Sequence, residues 1–207
     1  MPTFSPTSRT CLGTLATRAG AGDKLALKFY NYLLGENSLM EFVGYSFRPV
    51  IERMVVFDVF VRQYLGAHPH ARVLNIGCGF CTRFSRLDNG LCSWTDLDVE
   101  EVIDVRRALY PENKRYKLKT KNLYDDIDED YDLLIAEGCL MYIDEDRARE
   151  IIHGDCIFDV LGPNSNIPIE QTAMKWRFHV KKWSSLHLKR AWRYDEKGRD
   201  TLILASD

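Results

Sequence analysis

VLNIGCGFCTRFSR, residues 73–86, decides the fold of this chain. Val73, Leu74 and Ile76 form a short apolar run with β-branched members. Gly77-Cys78-Gly79 follow, and then a helix-compatible segment over 82–87. That order is a buried strand, a tight glycine turn and a helix start. In an open α/β sheet the ligand crevice lies outside the carboxyl end of such a strand. Gly77 and Gly79 allow positive φ and let a ligand approach bare backbone. The third glycine of a dinucleotide fingerprint would fall at position 82, where the chain has Thr82. Asp96 and Asp98 follow at the end of a second strand read over 92–95, where an acid can hold ribose hydroxyls. A nucleoside without a pyrophosphate does not need the third glycine. The turn therefore points to S-adenosylmethionine (SAM) rather than NAD.

Length and composition narrow the class. A chain of 207 residues fits one domain, and an apolar content of 45% is enough for a real core. A net charge of −2 gives no electrostatic case for nucleic acid. No run approaches the roughly 18 apolar residues of a membrane helix. The first residues lack a basic-then-apolar leader pattern. No nucleic acid and no membrane are expected as partners, and the cytoplasm is the expected compartment. Cys78-x-x-Cys81 has no second pair at a comparable spacing, so the six cysteines read as reduced, buried thiols and no metal is expected.

Along the chain, residues 1–8 read as frayed and 10–21 as rich in small residues, with Arg18 in their middle read as a solvated charge, an approach to the cofactor carboxylate being the alternative. A helix is expected over 24–34, stopped by Gly35 and Asn37. Another is expected over 46–65, with Ser46 as N-cap, Pro49 in the first turn and Gly66 as its end. A third runs over 99–109 to Pro111, and a fourth over 144–152. Strands are expected over 116–119, 131–136 and 156–160, and again over 176–183, 186–194 and 201–205. The turn Glu196-Lys197-Gly198 joins the last two as a hairpin. The fold class that follows is α/β and Rossmann-like. It has a central, mostly parallel sheet with helices on both faces and a C-terminal antiparallel hairpin.

These residues resemble the leucine carboxyl methyltransferase family, which includes protein phosphatase methyltransferases and polyketide O-methyltransferases. The resemblance is carried by Asn75, Gly77 and Gly79, then Thr82 and Arg83, Arg86 and Leu87, then Asp98, and finally Glu137 and Tyr142. It covers about residues 48–163 and implies a class I SAM-dependent methyltransferase. It also implies that residues 1–45 form a helical cap before a ligand-binding domain over 46–207. On that resemblance the backbone of Gly77, Cys78 and Gly79 meets the cofactor. Asp98 holds the ribose, with Asp96 as the alternative. Asn122 accepts from the adenine amino group, where family members often have Asp, and Leu123 packs on the adenine. Arg53 pairs with the methionine carboxylate, with Arg48 as its rival, because a guanidinium fork suits a carboxylate. Glu137 lies by the methionine ammonium, and Tyr142 walls the methyl-transfer site. The segment 164–175 is shorter than the family's substrate insertion.

The expected reaction is O-methyl transfer to a carboxylate, or to a phenol or hydroxyl. The acceptor is a small or carrier-bound molecule, a natural-product intermediate or a protein C-terminus. A carboxylate needs no general base, and none is evident beside Glu137; His179 and His187 fall in the C-terminal strands. The alternatives are a SAM-binding protein without catalysis and a NAD-binding oxidoreductase. The second is disfavoured by the missing third glycine.

Overall fold

A computed structural model describes residues 4–35, 47–161, 188–193 and 201–206. Seven strands form one sheet: β1 Arg72–Ile76, β2 Ser93–Asp98, β3 Tyr116–Thr120, β4 Leu133–Ala136, β5 Cys156–Leu161, β6 Leu188–Arg193 and β7 Thr201–Ser206. Their order is β3-β2-β1-β4-β5-β7-β6. β1 to β5 run parallel, β7 is antiparallel to β5, and β6 is antiparallel to β7. The strand order reverses between β1 and β4, which opens a crevice above their carboxyl ends.

Six helices accompany the sheet among the described residues: α1 Pro6–Gly20, α2 Lys24–Leu34, α3 Phe47–Ala67, α4 Arg83–Leu87, α5 Glu100–Leu109 and α6 Glu145–Ile151. Side chains along β1 and β4 alternate between two cores. Val73, Leu133 and Ile135 meet Phe57, Val61 and Leu65 of α3 on one face. Leu74, Ile76, Leu134 and Ala136 meet Ala148 and Ile151 of α6 on the other. Burial on both faces is why these strands read as unbroken apolar runs. Each fully buried large side chain contributes about 1.5–3 kcal/mol. A third core joins α1 and α2 to α5 through Leu15, Phe29, Leu33, Phe80 and Val102.

Five sequence expectations are corrected. The N-terminal residues are held from Phe4 onward, because Phe4 is buried edge-on against Phe80 with ring centroids 5.9 Å apart. The small-residue segment is α1 itself, started by Pro6 and by the Ser5 hydroxyl, which accepts from the Ser8 N–H at 3.2 Å. Gly66 lies inside α3 rather than ending it; a glycine costs about 1 kcal/mol there, which burial of Phe60, Tyr64 and Leu65 outweighs. β2 continues past Thr95 to Asp98, paired on both sides by β1 and β3. Asp144, expected inside the next helix, is the N-cap of α6 and accepts from the Arg147 N–H at 2.9 Å. Asn37, Ser46, the segment 164–175, the strand at 176–183, His179, His187 and the turn at 196–198 lie outside the described residues. Among the described residues no helix is long and apolar enough to cross a membrane.

Candidate active site

A cavity of about 320 Å³ lies over the carboxyl ends of β1, β2 and β4, with α1 along one side. At the end of β1, Gly77 has φ 55°, and a Cβ there would collide with the Cys139 side chain. The turn is therefore closed to any larger residue. The Gly79 N–H donates to Asp98 Oδ2 at 2.7 Å, and the Val99 N–H donates to Asp98 Oδ1 at 2.8 Å. Asp98 thus ties the glycine turn to the end of β2 and lines the cavity. Burial pushes its carboxyl above the ordinary value, against the pull of those two N–H groups and of Arg106.

Asp96, the alternative to Asp98, is buried and does not line the cavity. Its Oδ1 accepts from Asn75 Nδ2 at 2.6 Å and from Trp94 Nε1 at 2.9 Å. Its Oδ2 accepts from the Tyr116 hydroxyl at 2.6 Å and pairs with Arg106. Arg106 in turn donates to the carbonyls of Gly79 at 2.8 Å and Cys81 at 2.9 Å. The pair holds the turn from beneath.

Glu137, at the end of β4, collects three guanidinium groups. Its Oε1 meets Arg53 Nε at 3.0 Å and Arg18 Nη2 at 3.5 Å, and its Oε2 meets Arg83 Nη2 at 2.5 Å. Burial alone would push the Glu137 carboxyl up. The charges of Arg83, Arg53 and Arg18 outweigh it and hold the group well below the usual carboxylate range. Arg53 also reaches Asp159 Oδ2 at 3.2 Å. Arg83 continues to Asp58 at 2.7 Å, Asp58 to Arg86 at 3.0 Å, and Arg86 to Asp23 at 3.0 Å. Asp23 is the N-cap of α2, so charges of alternating sign run from the N-terminal helices to the cavity.

Arg18 corrects the reading of a solvated charge: its side chain is only 5% exposed, and it lines the cavity. The face of α1 toward the cavity carries Thr7, Cys11, Thr14 and Arg18, at helical spacing. Tyr142, in a 3₁₀ turn over Leu140–Tyr142, donates its hydroxyl to Thr10 Oγ1 at 3.1 Å. Burial pushes its phenol above the ordinary value. On the β3 side, Asn122 is exposed, and its Oδ1 accepts from the Tyr124 N–H at 3.0 Å. Leu123 is half-buried against the α6-side core. Arg53, Gly77, Cys78, Gly79 and Asp98 line the same cavity as Asn122, Leu123, Glu137 and Tyr142. The side chain of Arg48 is outside the described residues. Among the described residues no group of three or more His, Cys, Asp or Glu side chains is arranged to hold a metal ion.

Sequence reasoning missed three contributors. Arg83 was noted only as part of a motif, yet it bridges Asp58 and Glu137. Asp159 is an acid inside an apolar strand, CIFDVL, and that interruption was the available signal. The small polar stripe on α1 had a helical period but no apolar face to announce it.

No protein-family model matches the chain. It is 28% identical over 177 residues to the tetracenomycin polyketide synthesis O-methyltransferase TcmP of Streptomyces glaucescens; the match takes in 74% of this chain and spans 66% of that protein's length. Among solved structures, it is similar to the magnesium protoporphyrin IX methyltransferase ChlM of Synechocystis PCC 6803, with TM-score 0.59 and 12% identity, covering 88% of this chain and 94% of that one. It is also similar to the N-methyltransferase NodS of Bradyrhizobium japonicum WM9, with TM-score 0.56 and 13% identity, covering 88% of this chain and 97% of that one. Both structures hold S-adenosyl-L-homocysteine (SAH). The strand order, the glycine turn after β1 and these likenesses give the chain the Rossmann-like methyltransferase fold.

Proposed function

We propose that this protein is a SAM-dependent O-methyltransferase of the natural-product type and that its acceptor is a carboxylate. One observation carries the reading. Residues from α3, the β1 turn, the ends of β2 and β4 and the loop after β3, each expected from sequence to meet cofactor or methyl group, line one cavity. The likeness to TcmP supports a polyketide-type small molecule as the acceptor. The motif spacing supports kinship with the leucine carboxyl methyltransferase family.

The residues present fit the cofactor. The bare backbone of the Gly77-Cys78-Gly79 turn admits a close ligand, and Asp98 suits ribose hydroxyls. Asn122 Oδ1 keeps one lone pair beyond its bond to Tyr124 for the adenine amino group, and Leu123 offers apolar surface beside it. Arg53 suits the methionine carboxylate and Glu137 the ammonium. Among the described residues the Nε of Arg18 is buried without a hydrogen-bond partner.

When bound, SAM supplies an electrophilic methyl group on a sulfonium centre. The protein's part is to align an acceptor oxygen with it and keep water out, and α1 walls one side of the cavity. A carboxylate is already an anion at neutral pH and needs no base. Among the described residues no histidine lines the cavity. The Tyr142 phenol, pushed up by burial, stays protonated and serves as a wall and donor. Arg18, whose contact with Glu137 is long at 3.5 Å, favours a negatively charged acceptor electrostatically.

The test uses SAM labelled in the methyl group, the protein and a panel of aromatic acids and phenols, followed by mild base. A methyl ester releases its label as volatile methanol, as expected here. Base-stable label would reject the ester in favour of an ether. Label transferred to nothing, with SAM still bound, would favour a binding protein without catalysis.

A further inference from the structure

We propose that Asp159 is the positioning residue that sets Arg53 and the Glu137–Gly138 turn against the amino-acid end of the cofactor. The inference rests on the cofactor reading above and assigns a role to a residue that does not line the cavity. Asp159 sits in β5, paired opposite Ile203 of β7, with a side chain 1% exposed. It is the acid in an otherwise apolar strand. Burying a charge there is unfavourable unless donors meet it.

Two donors do, and they belong to two different parts of the site. Oδ1 accepts from the Gly138 N–H, and Oδ2 from Arg53 Nη1 at 3.2 Å. The first bond fixes the turn that immediately follows Glu137. The second fixes the guanidinium whose Nε meets Glu137 at 3.0 Å. Gly138 has φ 69°, and a Cβ there would lie 3.3 Å from Arg53 Nη2. The guanidinium therefore lies close against a bare backbone that Asp159 itself holds. One carboxylate thus sets the relative placement of a cation and an anion that line the cavity. A carboxylate is suited to this because both its oxygens accept; an amide has one acceptor and one donor and would set N–H against N–H at one of the two contacts.

The test compares ligands that differ only at the end Asp159 is proposed to govern. SAH carries the amino-acid end, and 5′-methylthioadenosine keeps the nucleoside and sulfur without it. In titration calorimetry, Asp159→Asn should weaken SAH about tenfold, the worth of one hydrogen bond to a charged group, and leave 5′-methylthioadenosine unchanged. In an Arg53→Ala background the same change should add little, since the two residues act as a unit. Equal weakening of both ligands would mean a merely structural role and overturn the proposal, as would unchanged binding of both. Asp159→Ser, which leaves a small hydroxyl acceptor, carries the same comparison should the Asn variant not fold. Wild-type protein that binds neither ligand would overturn the cofactor reading itself, and this inference with it.

Discussion

Two carboxylate–arginine networks lie a few residues apart in this sheet, and they do opposite work. The Asp96 carboxylate is sealed off from the cavity: Arg106, Tyr116, Trp94 and Asn75 occupy both its oxygens. The Glu137 network has similar chemistry but opens onto the cavity, with Arg18 and Arg53 lining it too. The difference is one of depth along the strands. Asp96 sits within β2 between paired neighbours, while Glu137 sits just past the end of β4. A buried ion pair inside a sheet serves the fold, and one at a strand's carboxyl end serves a ligand.

The comparison can be broken most forcefully at Arg106. Arg106→Met leaves Asp96 charged without its cation and frees the carbonyls of Gly79 and Cys81. A stability loss of about 3–5 kcal/mol is expected in urea denaturation. A loss below about 1 kcal/mol would show that the sealed network is not a structural one.

Glu137→Gln probes the network at the cavity wall. A smaller stability loss of about 2–3 kcal/mol is expected, together with loss of SAM binding. The pH profile gives the sign. Glu137 is held below its ordinary carboxyl range in the folded state. Its stabilisation is therefore present at neutral pH and is lost as pH falls through that range to the lower folded value. Urea midpoints measured on the acid side should fall less steeply for the variant; equal slopes would refute the assignment.

Arg53→Ala should weaken SAM binding by about 2 kcal/mol, and Arg53→Lys by about 1 kcal/mol, because a point charge keeps attraction but loses the fork. If Lys matches the wild type in calorimetry, the guanidinium geometry is irrelevant. An effect no larger than that of Arg53→Ala is expected at Asp98. Asp98→Ala should cost about 1–2 kcal/mol of SAM affinity. Full affinity in that variant would move the ribose contact elsewhere.

What was legible in the sequence divides along the same line. The β1 strand and its glycine turn could be read because apolar runs and glycines report local backbone needs. Asp98, Glu137 and Tyr142, which the family resemblance assigned to the site, line the cavity because the resemblance tracks strand ends. α1 was not read, because its cavity face carries Thr7, Cys11 and Thr14 and its opposite face is mostly small, so no apolar stripe marks a helix. Ser5-Pro6 was the cap signal that could have started it. Arg18 looked solvated because burial of an arginine depends on Glu137, a partner far along the chain that no local window contains. Gly66 looked like a stop because a glycine's local cost is visible while the packing that overrides it is not.

The position of β7 has a consequence for how the protein is made. β7 lies well downstream of β5 in sequence, yet it pairs with β5 from Cys156 to Leu161, across the back of Asp159. A chain emerging from the ribosome presents the glycine turn, Asp98 and Glu137 well before residues 201–206 exist. Until then β5 is a sheet edge with its ladder groups open to water. The strand that carries Asp159 is therefore covered along this edge only when β7 docks. By linkage, a bound ligand that needs this arrangement holds β7 in place.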